Sequence, residues 1–134
     1  MKDQFDKKEL KKRLSKEQYD VLVNKGTEYP GTGKLLNNKA DGTYVCGICG
    51  TALFRSNSKY DSNTPGLIGW PSFSDAIKEN VELSDDYKLL GTHRIEVTCK
   101  TCGGHLGHLF DDPSAPTGKH YCINSVSLEF KSKE

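Results

Sequence analysis

Cysteine and histidine are the residues of this sequence with the clearest capacity for chemistry. Four of the five cysteines form two Cys-x2-Cys pairs, and two such pairs supply the four thiolates of a tetrahedral zinc site. The fifth, Cys122, lies in the run HYCINS at 120–125. A thiol near imidazole, carboxylate and amide groups is typical of nucleophilic catalysis. The pairs are Cys46 with Cys49 and Cys99 with Cys102, and the side chains that precede Cys122 are His105, His108, Asp111 and Asp112.

The two cysteine pairs predict a structural metal. Forty-nine residues separate Cys49 from Cys99, far more than the roughly 15–20 of a single zinc ribbon, so the metal would connect two distant hairpins. Four cysteine ligands leave no coordination position for water or substrate, which excludes a zinc hydrolase or deaminase. Four free thiols or a disulfide are the alternatives, and the matched spacing of both pairs speaks against them. A thioredoxin-type redox motif would need one pair at the start of a helix.

Cys122 lies in a predicted strand, where period-two alternation puts Cys122 and Asn124 on one face. Taken alone, a buried cysteine is usually a small hydrophobic residue. A nearby histidine or cation would lower the pKa of its thiol from about 8.5. His105 and His108 differ by an odd number, so a straight strand would point them in opposite directions. A bulge at Gly107 would bring both to one side, and without it we expect His108 alone to serve the site.

The single tryptophan, Trp70, is a further candidate. A lone tryptophan most often packs in a core because it buries a large apolar area. Here it lies between glycine and proline in the run GWPSF at 69–73, which predicts a loop, and loops carry functional residues disproportionately often. A core role and a binding role are therefore both open for Trp70 from these residues alone.

Composition narrows the classes of partner. Nineteen Lys and Arg residues against eighteen Asp and Glu leave a net charge of +1, with no basic stripe for nucleic acid or an anionic membrane. No run reaches the roughly 18 consecutive apolar residues of a membrane helix, and MKDQFDKKEL lacks the apolar core of a signal peptide. Together with the odd number of cysteines, these features predict a cytoplasmic protein with reduced thiols.

Patterning predicts a mainly β domain with short N-terminal helices. Residues 1–14 are dense in charge and predict a flexible or weakly docked segment, and residues 15–134 predict a single domain. Ser15 and Gln18 form a predicted capping box for a short helix that ends near Gly26. Alternating apolar residues predict strands over much of the remaining chain. The predicted strands are 43–46, 52–54, 81–83, 88–90, 93–99, 120–125 and 126–131, with a turn at 84–86.

Five motifs together resemble the B-type methionine-R-sulfoxide reductases. The similarity runs from about Thr27 to Phe130, which is nearly the whole predicted domain. The resemblance implies two antiparallel sheets stapled by one structural Zn²⁺ at the four paired cysteines. The motifs are CGICGTALF at 46–54, GWPSF at 69–73, CKTCGGHLGHLF at 99–110, PTG at 116–118 and YCINS at 121–125.

The resemblance also implies a reaction and its residues. The R epimer of methionine sulfoxide, in oxidised proteins and as the free amino acid, would be attacked at sulfur by the thiolate of Cys122. His108 and Asp112, through a bound water, would help to protonate the sulfoxide oxygen, and His105 and Asn124 would orient these groups. Cys122 would then be a sulfenic acid that must be reduced again.

The implied substrate-binding residues are Trp70 and Phe110, as an aromatic wall for the substrate methyl group, and His120. The chain departs from the family twice. Many members carry a resolving cysteine just before the Gly-Trp-Pro motif, where this chain has Ile68, so we expect thioredoxin or a small thiol to reduce the sulfenic acid directly. Arginine is common in the family at the position of His120, and imidazole is charged only part of the time near neutral pH. We therefore predict that activity falls as pH rises through the His120 titration.

A non-catalytic zinc-stapled binding module of related fold is the alternative function. This function would use the metal, the sheets and Trp70. It would leave Cys122, His108 and Asn124 without a functional role. Nothing in the sequence resembles a large exposed interface, so we expect a monomer.

Overall fold

The computed structural model describes residues 5–88 and 91–133 and folds them into two antiparallel sheets with two short helices. This architecture confirms the predicted fold class. In the part of the chain described, no helix is long and apolar enough to cross a membrane. The elements are α1 (Lys7–Arg13), α2 (Lys16–Leu22), β1 (Gly42–Cys46), β2 (Ala52–Arg55), β3 (Lys59–Tyr60), β4 (Ser72–Phe73), β5 (Val81–Asp86), β6 (Arg94–Cys99), β7 (His105–Asp111), β8 (Lys119–Ile123) and β9 (Leu128–Ser132), with 3-10 turns at Ser56–Ser58, Lys78–Asn80 and Ser125–Ser127.

The start of α2 is the predicted capping box. Ser15 Oγ accepts from the backbone N–H of Gln18 at 3.1 Å, and the Gln18 side chain accepts from the backbone N–H of Ser15 at 2.9 Å. These reciprocal bonds satisfy two backbone donors that the first helical turn leaves free. The helix ends at Leu22, earlier than the predicted end near Gly26.

The first helix packs more closely than its charged sequence indicates. Leu10 and Leu14 are buried in the hydrophobic core, and the guanidinium of Arg13 donates to the carbonyl oxygen of Ile48 at 2.8 Å. Apolar residues four apart lie on one helix face, which is the face that α1 turns inward. The division of the chain at residue 14 stays a prediction.

The smaller sheet has the order β2-β1-β9 and carries the first cysteine pair. The β1–β2 hairpin pairs Tyr44 with Phe54, and β9 pairs Leu128 with Cys46. The strands predicted at 43–46 and 52–54 are confirmed as the two arms of this hairpin. Its tip therefore presents Cys46 and Cys49 at one end of the sheet.

The larger sheet has the order β3-β4-β8-β7-β6-β5. Strand β8 lies between β4 and β7, so Cys122 has Ser72 opposite it on one side and His108 on the other. Strand β6 ends at Cys99 and delivers the second cysteine pair. The sheet thus holds the predicted nucleophile at its centre and half of the cysteine site at one end.

An aromatic cluster joins the two sheets. The rings of Phe54 and Phe73 stack with centroids 4.4 Å apart, and Tyr44 meets Phe73 edge-on at 5.0 Å. Tyr121, next to Cys122, meets Phe54 at 5.8 Å. Because β8 alternates, the contacts of Tyr121 with this core turn Cys122 toward the opposite face of the sheet.

Several predicted strand boundaries were wrong, among them the end of the strand 120–125, because β8 ends at Ile123. The turn predicted at 84–86 is strand, because β5 pairs with β6 without interruption as far as Asp86 opposite Arg94. Pairing with a neighbouring strand outweighed the local turn preference of these residues. Lys88 is outside any strand, and Leu89 and Leu90 lie outside the described residues. The last strand begins at Leu128, because residues 125–127 form a 3-10 turn.

Candidate active site

A shallow pocket on the larger sheet brings together five of the residues predicted for the site. Its volume is about 120 Å³. Cys122 lies on its floor on β8, with His108 opposite on β7, and the backbones of these strands approach closely there. A Cβ at position 107 would overlap the carbonyl oxygen of Cys122, so only glycine fits. The predicted residues at the pocket are Cys122, His108, Asn124, Trp70 and Phe110, and Thr27, Gly66, Arg94 and Gly107 line it as well.

The backbone of Glu28 connects the side chain of Trp70 to that of Asn124. Its carbonyl oxygen accepts from the indole N–H of Trp70 at 3.0 Å, and its backbone N–H donates to Oδ1 of Asn124 at 3.0 Å. The amide nitrogen of Asn124 in turn donates to the carbonyl oxygen of Leu106 at 3.0 Å. Sequence reasoning did not select Glu28, because main-chain contacts leave no residue-specific signal.

The environment of Cys122 favours its thiol over its thiolate. Burial first, and then the negative charge of Glu28, raise the pKa of Cys122 to about 12. The prediction that a neighbouring histidine lowers this pKa was therefore wrong for the resting site. Desolvation disfavours the charged thiolate, and it is the larger of the two causes.

His108 has a buried carboxylate partner that the sequence analysis missed. Nε2 of His108 lies 2.8 Å from Oδ2 of Asp86, and the other carboxylate oxygen accepts from the backbone N–H of Lys88 at 2.9 Å. These hydrogen bonds, that of Lys88 first, lower the pKa of Asp86 to about 2. An ionised Asp86 only accepts, so Nε2 of His108 carries the proton of this bond, and Nδ1 is the ring nitrogen outside it. A continuous strand through 84–86 would have placed Asp86 opposite Arg94.

A β-bulge brings the two histidines of β7 together, as predicted. The register of β6 and β7 passes from Val97 opposite Gly107 to Thr98 opposite His105, which leaves one extra residue on β7. The rings of His105 and His108 consequently meet edge-on with centroids 5.4 Å apart. Nδ1 of His105 lies 2.8 Å from Oε2 of the buried Glu96.

Asp112 and His120 form a second buried pair. His120 is 0% exposed and Asp112 is 1% exposed. Burial opposes ionisation of Asp112, but its many hydrogen bonds, that of Thr64 first, hold its pKa well below the usual range. Burial lowers the pKa of His120, and the bond to Asp112 offsets this in part. The donors to Asp112 are the hydroxyls of Tyr60 (2.7 Å), Ser62 (2.8 Å), Thr64 (2.6 Å) and Ser114 (2.7 Å), the Ser114 backbone N–H (2.9 Å) and Nδ1 of His120 (2.9 Å).

His120 therefore sits as a neutral imidazole against a carboxylate. With the proton on Nδ1, its Nε2 is a bare acceptor, and this atom is buried without a hydrogen-bond partner. Its ring contacts Phe110 edge-on at 6.4 Å, and Phe110 lines the pocket. The structure thus brings Asp112 to His120 rather than to His108.

The four paired cysteines are positioned to hold a metal ion. Their sulfur atoms all lie within 4.8 Å of one another. The two distances across the pairs, 3.6 Å for Cys46 to Cys102 and 3.5 Å for Cys49 to Cys99, are far longer than the roughly 2.05 Å of a disulfide. Backbone N–H groups of Ile48 and Gly104 donate to sulfur at 3.4 Å, as they do to thiolates. A metal there would join β1 of the smaller sheet to β6 of the larger one.

Comparison with known proteins places these features in a family. Residues 14–132 match the SelR domain. A peptide methionine sulfoxide reductase MsrB of Methanosarcina barkeri is 54% identical over 127 residues, which cover 94% of this chain and 86% of that protein. The mitochondrial methionine-R-sulfoxide reductase B3 of Mus musculus is 50% identical over 127 residues, which cover 94% of this chain and 48% of that protein.

A more distant likeness concerns the fold alone. The solved Mis18 'Yippee-like' domain superposes with a TM-score of 0.53 at 19% identity, over 70% of this chain and 98% of that chain. The domain match and the two identities of 50% or more extend over nearly the whole chain. The chain therefore belongs to the SelR-domain family, the family of the methionine sulfoxide reductases of MsrB type.

Proposed function

We propose that this protein reduces the R epimer of methionine sulfoxide to methionine, in oxidised proteins and as the free amino acid. The observation that carries the proposal is one pocket that holds a thiol, an imidazole, an amide and two aromatic rings. Its volume of about 120 Å³ suits the small CH3–S(=O)–CH2 end of the substrate, since a cavity of about 150 Å³ accepts benzene.

Cys122 is the proposed nucleophile. Its thiolate attacks the sulfoxide sulfur and forms an S–S bond, while the oxygen of the substrate takes up two protons and leaves as water. A water molecule then attacks the sulfur of Cys122, the S–S bond breaks, and Cys122 is left as a sulfenic acid with the release of one proton. The substrate sulfur gains two electrons and the cysteine sulfur loses two, so methionine leaves in its reduced form. Because burial raises the pKa of Cys122, the thiolate forms in the substrate complex and not in the resting enzyme.

His108 is the proposed proton donor to the sulfoxide oxygen. The oxygen gains negative charge as the S–O bond breaks, and an imidazolium aimed at it from Nδ1 would neutralise that charge. An ionised Asp86 at Nε2 stabilises this imidazolium and fixes its orientation. Asp112 is bonded to His120 and Asp86 to His108, so we assign the direct support of His108 to Asp86. The role predicted for Asp112, through a bound water at the sulfoxide oxygen, stays a prediction. His105 and Asn124 orient His108 and the substrate.

The aromatic wall explains the proposed choice of epimer. Trp70 and Phe110 face the pocket and would receive the methyl group of the R epimer while its oxygen points to His108. The S epimer would exchange these two substituents and put oxygen against apolar rings, where it lacks a hydrogen bond. His120 supports this wall through its contact with Phe110.

An external thiol is the proposed reductant. The residue before Gly-Trp-Pro is Ile68, and the four cysteines other than Cys122 are grouped as metal ligands. We therefore assign regeneration of Cys122 to thioredoxin or a small thiol. The cytoplasmic location and monomeric state predicted from the sequence stay predictions.

Zn²⁺ is the proposed metal at the cysteine site. A donor set of four thiolates is typical of structural zinc, and tetrahedral Zn–S bonds of about 2.3 Å require sulfur atoms about 3.8 Å apart, close to the 3.5 and 3.6 Å found. Zinc bound there would cross-link the two sheets and supply no open coordination position.

Turnover of the separated R and S epimers of a methionine sulfoxide peptide tests the proposal. With dithiothreitol as reductant, the wild type should reduce only the R epimer, and Cys122→Ser should reduce neither. If a folded, metal-loaded wild type reduces neither epimer, the enzyme proposal fails and a non-catalytic binding module takes its place.

A further inference from the structure

Two exposed apolar side chains lie on the loops that adjoin Trp70 of the pocket. The side chains of Tyr29 and Ile68 are 82% and 58% exposed, respectively, although residues of their size are usually at least partly buried. Tyr29 directly follows Glu28, which holds the indole of Trp70, and Ile68 lines a small cavity together with Trp70. We call Tyr29 and Ile68 the apolar rim.

The two loops that carry the apolar rim are joined by a backbone hydrogen bond. The backbone N–H of Gly31 donates to the carbonyl oxygen of Gly69 at 2.8 Å, which joins the loop of Tyr29 to the loop of Ile68. A Cβ at position 69 would lie 2.6 Å from Cβ of Pro30, so the loops are in contact as well as bonded. The exposed side chains are therefore carried by a fixed pair of loops at the aromatic wall.

The size of the pocket determines what must lie on the apolar rim. A volume of about 120 Å³ receives the end of one side chain, so the polypeptide that carries an oxidised methionine has to cross the pocket mouth. An extended chain advances about 3.3 Å per residue, so the neighbours of the oxidised residue lie within about 7 Å of it. Methionine is most often buried among apolar residues, so those neighbours are often apolar once a damaged protein has unfolded.

Resting on the function proposed above, we propose that the apolar rim is the docking surface for an extended, unfolded segment of oxidised protein, and that it selects apolar residues beside the methionine sulfoxide. Continuity favours this occupant, since the loops that carry the apolar rim adjoin Trp70 of the pocket that takes the oxidised side chain. Binding there adds to affinity for the peptide and leaves the chemistry at Cys122 unchanged. The surface should therefore act on KM for peptides and not on kcat.

The test compares three substrates in dithiothreitol: free methionine-R-sulfoxide, a peptide with leucine on both sides of the sulfoxide residue, and the same peptide with glycine there. The variant carries Tyr29→Ser and Ile68→Ser together, both at exposed positions where the fold tolerates a polar residue. Leu83→Ser, on β5, is the matched control because Leu83 is a large apolar residue that is 47% exposed and lies apart from these loops.

We expect KM for the leucine-flanked peptide to rise about tenfold in the double variant, a typical loss when interface anchors are truncated. kcat, activity on the free amino acid and all values for Leu83→Ser should match the wild type. Equal loss on free and peptide substrates, or no loss on the leucine-flanked peptide, would overturn the proposal. Failure of the enzyme proposal looks different, because the wild type would then leave free methionine-R-sulfoxide unreduced.

Discussion

Replacing Asp86 by asparagine should disable His108 while leaving the pocket in place. One oxygen of Asp86 accepts from the backbone N–H of Lys88, and the other accepts from Nε2 of His108. In place of the two carboxylate oxygens, an asparagine side chain has one acceptor, its amide oxygen, and one donor, its NH2 group. In either orientation its NH2 group meets an N–H, so Asp86→Asn breaks one bond or forces the proton of His108 onto Nδ1.

The size of the effect follows from the bond that is lost. A hydrogen bond to a charged group contributes about 1.5–3 kcal/mol, and the bond here is 2.8 Å long and buried. If His108 delivers the proton in the transition state, kcat should fall about 10- to 150-fold, because about 1.4 kcal/mol is one factor of ten. KM should change little, since the loss falls on proton delivery by His108 in the transition state and not on substrate binding.

The neighbouring residue supplies a matched control. Asp85 is also bonded to a histidine, His93, at 2.8 Å, but both of those side chains are exposed. Asp85→Asn makes the same chemical change one position away and should leave kcat within about twofold, since exposed ion pairs contribute little. Steady-state rates with dithiothreitol and the R epimer, together with melting temperature and metal content, make up the assay. Equal rates for Asp86→Asn and the wild type would refute the role of Asp86.

Four further predictions concern the supports of the site. Gly107→Ala should cost about 1–3 kcal/mol of stability and lower kcat, because its Cβ overlaps the carbonyl of Cys122; a melting temperature and kcat equal to those of the wild type would contradict this. Burial lowers the pKa of His120, so the predicted fall of activity with rising pH should lie below pH 6.5, the ordinary value. His120→Arg should flatten that part of the kcat profile, and an unchanged profile would count against the role of His120. Because the pKa of His120 is lower in the folded protein, His120 of the unfolded state takes up a proton first as the pH falls below about 6.5. The free energy of unfolding should therefore decrease in this range. Chemical denaturation at pH 7 and at pH 5.5 measures the difference. Cys102→Ser should purify without zinc and melt far below the wild type, since a structural zinc site contributes about 10 kcal/mol or more; normal metal content by elemental analysis would contradict the assignment.

The sequence pattern predicted those features whose residues lie close together in the chain. The paired spacing of Cys46 and Cys49 and its repeat at Cys99 predicted a metal site because the ligands of each half are adjacent in sequence. Alternation in HYCINS predicted that Cys122 and Asn124 share a face, and both line the pocket. The bulge on β7 was inferred from the odd separation of its histidines, and the register confirms it.

Contacts between residues that are distant in the sequence could not be predicted from local pattern. Asp86 lies in a run that favours a turn, and only its pairing with Arg94 on β6 keeps it extended and turns it toward His108. Glu28 bonds Trp70 and Asn124 through its backbone, which has no sequence signature. The pKa of Cys122 depends on how deeply the strand is buried and on Glu28, two facts that exist only in the folded protein.

The most direct test of the central claim is the fate of Cys122 after one turnover without reductant. The protein is mixed with one equivalent of the R epimer, trapped with a 1,3-diketone that reacts with sulfenic acids, and analysed by mass spectrometry of its peptides. The account predicts one equivalent of methionine and one diketone adduct, on Cys122, with no disulfide in the chain. Methionine formed without that adduct, or a disulfide between Cys122 and one of the four metal-site cysteines, would contradict it.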